Sequence, residues 1–129
     1  MTLWCMLASP LLIGCDMPKM SPFTVSLFSN DEVLAVNQDS LGKQGTRIKQ
    51  DGATEVWMKP LDDGSLAVAF FNRGEAAADI AIAWSDLGLQ GGQAVHDLWR
   101  QQDLGTFDAR YSVHVAPHGA ELFKVGSGR

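Results

Sequence analysis

The chain has 129 residues, 46% of them hydrophobic and 19% charged, with a formal net charge of -5. That length suits one ordinary domain, or a compact domain plus a shorter segment, and the composition is that of a folded chain. The negative charge is spread out and Lys and Arg nowhere cluster, which excludes nucleic acid as a partner, because phosphate binding needs grouped cations.

In chain order, the first feature is an apolar start. Both cysteines, Cys5 and Cys15, lie in it. A disulfide framework would distribute cysteines over the loops of a small domain, so these two read as small buried apolar residues. Leu3, Trp4, Leu7 and Leu11 recur at helical spacing until Pro10 intervenes, which predicts a short helix. Leu11-Leu12-Ile13 then reads as a strand buried on both faces of a parallel sheet. The same stretch carries a competing signal: Leu12-Ile13-Gly14-Cys15 matches a lipobox, which would make Cys15 a lipid anchor. No Lys or Arg precedes it, as a secretory signal requires, and no apolar run reaches the roughly 20 residues that span a bilayer. The fold reading is preferred. Ser21-Pro22 next predicts an N-cap with proline at the first helical position. The helix it opens carries Val25 and Phe28 and continues through Val33, Leu34 and Val36. Residues 1–40 thus read helix, strand, helix.

Asn37-Gln38-Asp39-Ser40, followed by Gly42 and Gly45, supplies turn formers without periodicity and predicts a boundary. Asn37, Gln38 and Asp39 are expected to be structural there, held by Asx-type side-chain bonds, rather than substrate contacts. From Thr46 to Val125 the pattern alternates. Val56 and Met58 oppose Glu55, Trp57 and Lys59; Leu66, Val68 and Phe70 oppose Ala67, Ala69 and Phe71; Ile80 and Ile82 oppose Asp79 and Ala81; and Tyr111, Val113 and Val115 oppose Ser112 and His114. Turn signals at Asp62-Asp63-Gly64, Asn72-Arg73-Gly74, Gly91-Gly92 and Pro117-His118-Gly119 separate about eight strands, read as hairpin-linked and antiparallel. The fold class is mainly β, a Greek-key-type antiparallel β-sandwich over residues 41–129.

Few residues in this zone point to chemistry. His114 and His118 invite a metal reading with His96 as a third ligand, but those first two have no carboxylate or cysteine at ligand spacing, so no metal is expected. No phosphate-binding glycine motif is present, and no cofactor is expected. Trp57, Trp84 and Trp99 could stack on sugar only if they shared an exposed face; core or rim packing is the commoner use. Asp62 and Asp63 are a hairpin tip rather than a catalytic dyad, since neighbours on a strand point to opposite faces.

Longer motifs carry a resemblance. Leu3-Trp4-Cys5-Met6-Leu7-Ala8-Ser9-Pro10-Leu11, the triplet Gly14-Cys15-Asp16 and the run Glu32-Val33-Leu34-Ala35-Val36-Asn37-Gln38-Asp39-Ser40-Leu41-Gly42 resemble the end of the catalytic barrel in glycoside hydrolase family 27, the α-galactosidases and α-N-acetylgalactosaminidases. Glu55-Val56-Trp57 with Pro60-Leu61, Val68-Ala69-Phe70-Phe71-Asn72-Arg73, Trp84-Ser85-Asp86-Leu87-Gly88-Leu89, Asp97-Leu98-Trp99 and Ala116-Pro117-His118-Gly119 are similar to that family's C-terminal β-sandwich, in the same order. Met17-Pro18 departs from the family, where arginine often follows the strand, and so does Ser40, where proline is common.

The resemblance implies a (β/α)8 barrel followed by a sandwich, with residues 1–40 as the helix-strand-helix end of the barrel. It also implies retaining hydrolysis of an α-galactoside-type carbohydrate by two carboxylates roughly 5 Å apart. In the family both are aspartates on earlier barrel strands, the nucleophile in a Lys-Tyr-Asp motif; here the only tyrosine is Tyr111. A barrel needs about 250 residues, so no catalytic residue is assigned. Asp16, at the C-terminal end of the predicted strand, is the residue expected nearest to substrate, against the simpler role of accepting backbone hydrogen bonds at a helix start. The chain is expected to be a non-catalytic C-terminal portion of such a hydrolase, inactive alone. The alternative is a stand-alone or lipid-anchored carbohydrate-binding module. Residues 1–40, without the rest of a barrel, should be disordered, pack onto the sandwich, or form a homo-oligomer through their open edge.

Overall fold

The structure, a computed structural model, describes residues 1–12 and 14–126. Its eight strands are β1 (Thr46–Asp51), β2 (Thr54–Pro60), β3 (Leu66–Asn72), β4 (Ala78–Ala83), β5 (Gln93–Asp97), β6 (Gln102–Phe107), β7 (Arg110–Val115) and β8 (Ala120–Val125). One sheet has six strands in the order β1-β2-β3-β8-β5-β6, and β4 pairs with β7 in the other. Every pairing is antiparallel. The turn signals divide into two kinds. Asp62-Asp63-Gly64 does close a hairpin, in which Asp63 Oδ1 accepts from the Ser65 amide at 2.9 Å, an Asx-type turn. Asn72-Arg73-Gly74 and Pro117-His118-Gly119 are not hairpins: each carries the chain from one sheet to the other, and Gly91-Gly92 lies just before β5. β8 therefore returns to lie between β3 and β5, the long return of a Greek key.

Between the sheets, Val56, Val68, Phe70, Val95, Phe123 and Val125 meet Ile80, Ile82, Tyr111 and Val115, with Trp84 from a short 3-10 turn, Trp84–Leu87, closing one end. Aromatic edges meet faces at ring separations of 4.9 Å for Phe107–Tyr111, 5.1 Å for Tyr111–Phe123 and 5.7 Å for Phe70–Phe123, the arrangement the ring quadrupoles favour.

The opposite face of the large sheet is not solvated. Ala67, Ala69 and Leu122 form a second apolar cluster with Cys5, Met6, Val33 and Val36, supplied by the helices α1 (Thr2–Met6) and α3 (Asp31–Asn37). The alanines keep that face low, so the helices can approach the sheet closely. Gly45 passes where an added Cβ would lie 2.8 Å from the Met6 carbonyl, and its own amide donates to that oxygen; a larger residue would push α1 away.

The first forty residues depart from their sequence reading in four ways. The buried face of α1 is Thr2, Cys5 and Met6, while Trp4 is 44% exposed, because positions 2, 5 and 6 share the one side of this short helix that meets the sheet. The predicted strand is absent at Leu11 and Leu12; neither pairs with another strand, and a lone strand cannot satisfy its backbone. Ile13, the third residue of that prediction, lies outside the described residues. Cys15 is exposed rather than buried. Finally, the second helix is two: α2 (Pro22–Phe28), capped by Ser21 accepting from the Thr24 amide at 3.1 Å, and α3, capped by Asn30 accepting from the Val33 amide at 3.1 Å. Both caps satisfy otherwise orphaned amides.

Candidate functional site

The polar side chains concentrate where the helical segment meets the six-stranded sheet. Lys59 lies at the centre. Its place in β2 alternates with Val56 and Met58, so the pattern would put it in water, yet it is fully buried beneath α1 and α3. Its ammonium donates to the carbonyl oxygens of Cys5, at 3.3 Å, and Val36, near the C-terminal ends of α1 and α3, where the helix dipole favours a cation. Burial pushes the Lys59 pKa below its usual value, with the Asp39 charge acting the other way. Burial likewise pushes the Cys5 thiol up.

Asn37, Gln38 and Asp39 follow one another at the exit of α3. Asn37 is buried and donates from Nδ2 to the Ser9 carbonyl at 2.6 Å. Gln38 is exposed, and its amide donates to the Leu34 carbonyl at 3.0 Å. The Asp39 carboxylate accepts from the Leu41 amide at 3.1 Å and from the Asp62 amide at 3.0 and 3.2 Å, so it ties the segment to the tip of the β2–β3 hairpin. Asp16 is apart from these. It precedes a short 3-10 turn, Met17–Lys19, makes no side-chain capping bond, and pairs with Lys19 at 3.1 Å with both side chains largely exposed. Such a pair contributes little.

Beside Asp39 lies an open groove of about 560 Å³, walled by α3, the β2–β3 turn, β5 and β6. Its carboxylates at Glu32, Asp39, Asp63 and Asp103 are already engaged. Against the burial that opposes its charge, Lys124 and Ser65 hold the Asp63 carboxyl down at about 2. Glu32 and Asp103 both bond His96. A general acid needs a raised carboxyl pKa, and Asp63 is held the opposite way. Among the described residues no group of His, Cys, Asp and Glu is arranged to hold a metal. Nor do Trp57, Trp84 and Trp99 form a platform: Trp84 is in the core with Nε1 donating to the Phe107 carbonyl at 2.7 Å, Trp57 packs edge-on to Phe71, and Trp99 donates to Thr2 Oγ1 at 2.9 Å.

Sequence reasoning missed Lys59 and Asn30, and weighed His96 only as a metal ligand. Asn30 also donates to the Leu98 and Trp99 carbonyls at 3.0 and 3.2 Å, and the Asn30-Asp31 pair before an apolar run was its available signal. For Lys59 and His96 there was none, because their partners are far off in sequence.

The family described as the alpha galactosidase C-terminal beta sandwich domain matches residues 51–125, from the last residue of β1 to the last of β8. The chain belongs to this family. It is 40% identical over 126 residues to alpha-galactosidase 2 of Arabidopsis thaliana, covering 96% of this chain and 32% of that protein. Among solved structures it is similar to alpha-galactosidase I from Mortierella vinacea, with a TM-score of 0.92 and 31% identity over 98% of this chain and 34% of that one. A GH27 β-L-arabinopyranosidase from Geobacillus stearothermophilus is similar with a TM-score of 0.91 and 30% identity, covering 97% and 28%. The chain thus spans about a third of the length of the curated relatives it matches. The likeness to these α-galactosidase-family structures takes in α1–α3 as well as the sandwich, which the family match itself does not.

Proposed function

We propose that the chain serves as the non-catalytic C-terminal portion of an α-galactosidase-like retaining glycoside hydrolase. In this reading residues 1–40 belong to the end of the barrel and residues 41–129 are the sandwich behind it. The observation that carries it is the placement of exposed apolar side chains. Trp4, Leu12, Met17, Phe23, Val25 and Leu41 are each between 39% and 81% exposed, and all belong to the first 41 residues. An apolar surface concentrated in one segment marks a place that another surface covers, here the remainder of a barrel. Apart from Leu41 at its start, the sandwich buries or half-buries its large apolar side chains among the described residues, and it holds the segment through Lys59 and through backbone bonds to Asn30 and Asp39. Asp16, on the exposed stretch between α1 and α2, is the one candidate substrate-proximal carboxylate in this reading. The substrate class is an α-galactoside; which α-linked sugar is preferred depends on residues outside this chain.

The test is a turnover assay on an aryl α-galactoside, run on this chain alone and on the chain joined to its in-frame upstream sequence. The expected result is no release of aglycone by the chain alone and release by the joined protein. Turnover by these 129 residues alone would overturn the reading.

A further inference from the structure

At one end of the groove, His96 of β5 stands between two carboxylates from different elements. Its Nε2 is 2.7 Å from Glu32 Oε2 in the first turn of α3, and its Nδ1 is 2.5 Å from Asp103 Oδ1 of β6. Ionised carboxylates only accept hydrogen bonds, and a neutral imidazole can donate from one nitrogen alone. Both contacts are satisfied together only by the imidazolium. Neutral histidine leaves one ring lone pair facing a carboxylate.

The backbone arranges this meeting. In the β5–β6 ladder Val95 pairs with Gly105 but His96 pairs with Asp103, so Leu104 is an extra residue on β6. Gly105 accommodates this β-bulge at a φ of +97°, a conformation open to glycine. Without the bulge, Leu104 would oppose His96; with it, a carboxylate does.

We infer that Glu32, His96 and Asp103 form a proton-operated latch, which fastens α3 to the sandwich in mildly acidic solution and loosens as the imidazolium loses its proton. The neighbouring charges leave it free to act. Lys124 of β8 stands opposite His96 in register but is paired with Asp63 at 2.5 Å. Asp39 is occupied by backbone amides, and Asp62 completes the acidic wall of the groove. Of the two arms, that to Asp103 is the shorter, and that to Glu32 is the less screened by water, its side chain being 34% exposed against 84% for Asp103. Burial works against the charged imidazole, but the bonds to Asp103 and Glu32 outweigh it and raise the His96 pKa above 6.5. A raised folded-state value means that the stabilisation is complete below the unfolded-state pKa and is lost as pH rises through the folded-state one.

The experiment is an NMR titration of the His96 ring in the full chain, alongside thermal midpoints of the parent, His96→Gln and Glu32→Gln from about pH 5.5 to about pH 8.5. His96 should titrate above 6.5 and move down in Glu32→Gln. The parent should melt about 4 °C above either variant at the acidic end, and that gap should shrink at the alkaline end. The titration of the unaltered chain needs no variant to fold. A His96 that titrates at or below 6.5, one indifferent to Glu32→Gln, or a melting gap that is constant with pH would each overturn the latch.

Discussion

Replacing Lys59 by methionine removes the ammonium between the sheet and the helices while keeping an unbranched stem of similar size. The parent side chain is fully buried and donates to two carbonyls. Hydrogen bonds from a charged donor contribute about 1.5–3 kcal/mol each, so the gross loss is about 3–6 kcal/mol. Burial opposes the charge, as the lowered pKa of Lys59 indicates, and removing a buried cation returns part of its desolvation cost. The two carbonyls, however, then lie beneath the sheet without that donor. The balance is a net destabilisation of about 2–4 kcal/mol. An unfolding entropy of about 2.1 cal/mol/K per residue gives about 0.27 kcal/mol/K for 129 residues. The thermal midpoint of Lys59→Met should therefore fall by about 7–15 °C, read by far-ultraviolet circular dichroism. The fall should be nearly independent of added salt, since a buried pairing is poorly screened. Limited proteolysis should also cut within residues 1–40 faster than in the parent, because the lost contacts hold α1 and α3. A midpoint within about 2 °C of the parent, or above it, would refute this account of the buried lysine.

Two further outcomes follow from the packing and the charges. Phe70→Ala removes the ring that meets Tyr111 and Phe123 edge to face and should cost about 3–5 kcal/mol in urea unfolding with little change in slope. The Asp63 carboxyl is depressed from 3.8 to about 2 by Lys124 and Ser65 against the opposing effect of burial, so its contribution is present above 3.8 and lost as pH falls through about 2. Asp63→Asn should accordingly melt below the parent at neutral pH, with the gap closing on acidification through that window.

The sequence made the central strands legible and the edges obscure. β2, β3, β4 and β7 announce themselves by alternation, because each presents apolar side chains at every second residue to the inter-sheet core. β1 and β6 are the two edge strands of the large sheet, and each ladder they enter has a register shift. An extra residue breaks period-two patterning, and an edge position removes the need for buried side chains, so Thr46–Asp51 and Gln102–Phe107 do not stand out within the alternating zone. Lys59 was illegible for a different reason. Alternation assumes that one sheet face meets water, whereas here α1 and α3 cover it. The run Leu11-Leu12-Ile13 misleads in the other direction: its apolar character suits a strand, but strand formation needs a neighbour to pair with. At the candidate site, local composition marked Asn37 and Asp39 as boundary residues but not the partners they reach, the Ser9 carbonyl and the Asp62 amide. The groove was not legible, because Glu32, His96 and Asp103 are brought together by tertiary packing and a bulge.

β3 is a wall shared by two layers. Residues Ala67 to Phe70 are all buried, with Val68 and Phe70 serving the inter-sheet core and Ala67 and Ala69 serving the layer beneath the helices. A slip of one residue would swing Phe70 into the shallow side and leave alanines where the aromatic cluster belongs. Each layer therefore proofreads the register for the other. The helical start and the sandwich consequently share one fate: neither can be repacked, shortened or melted without the loss being felt through the wall by its neighbour.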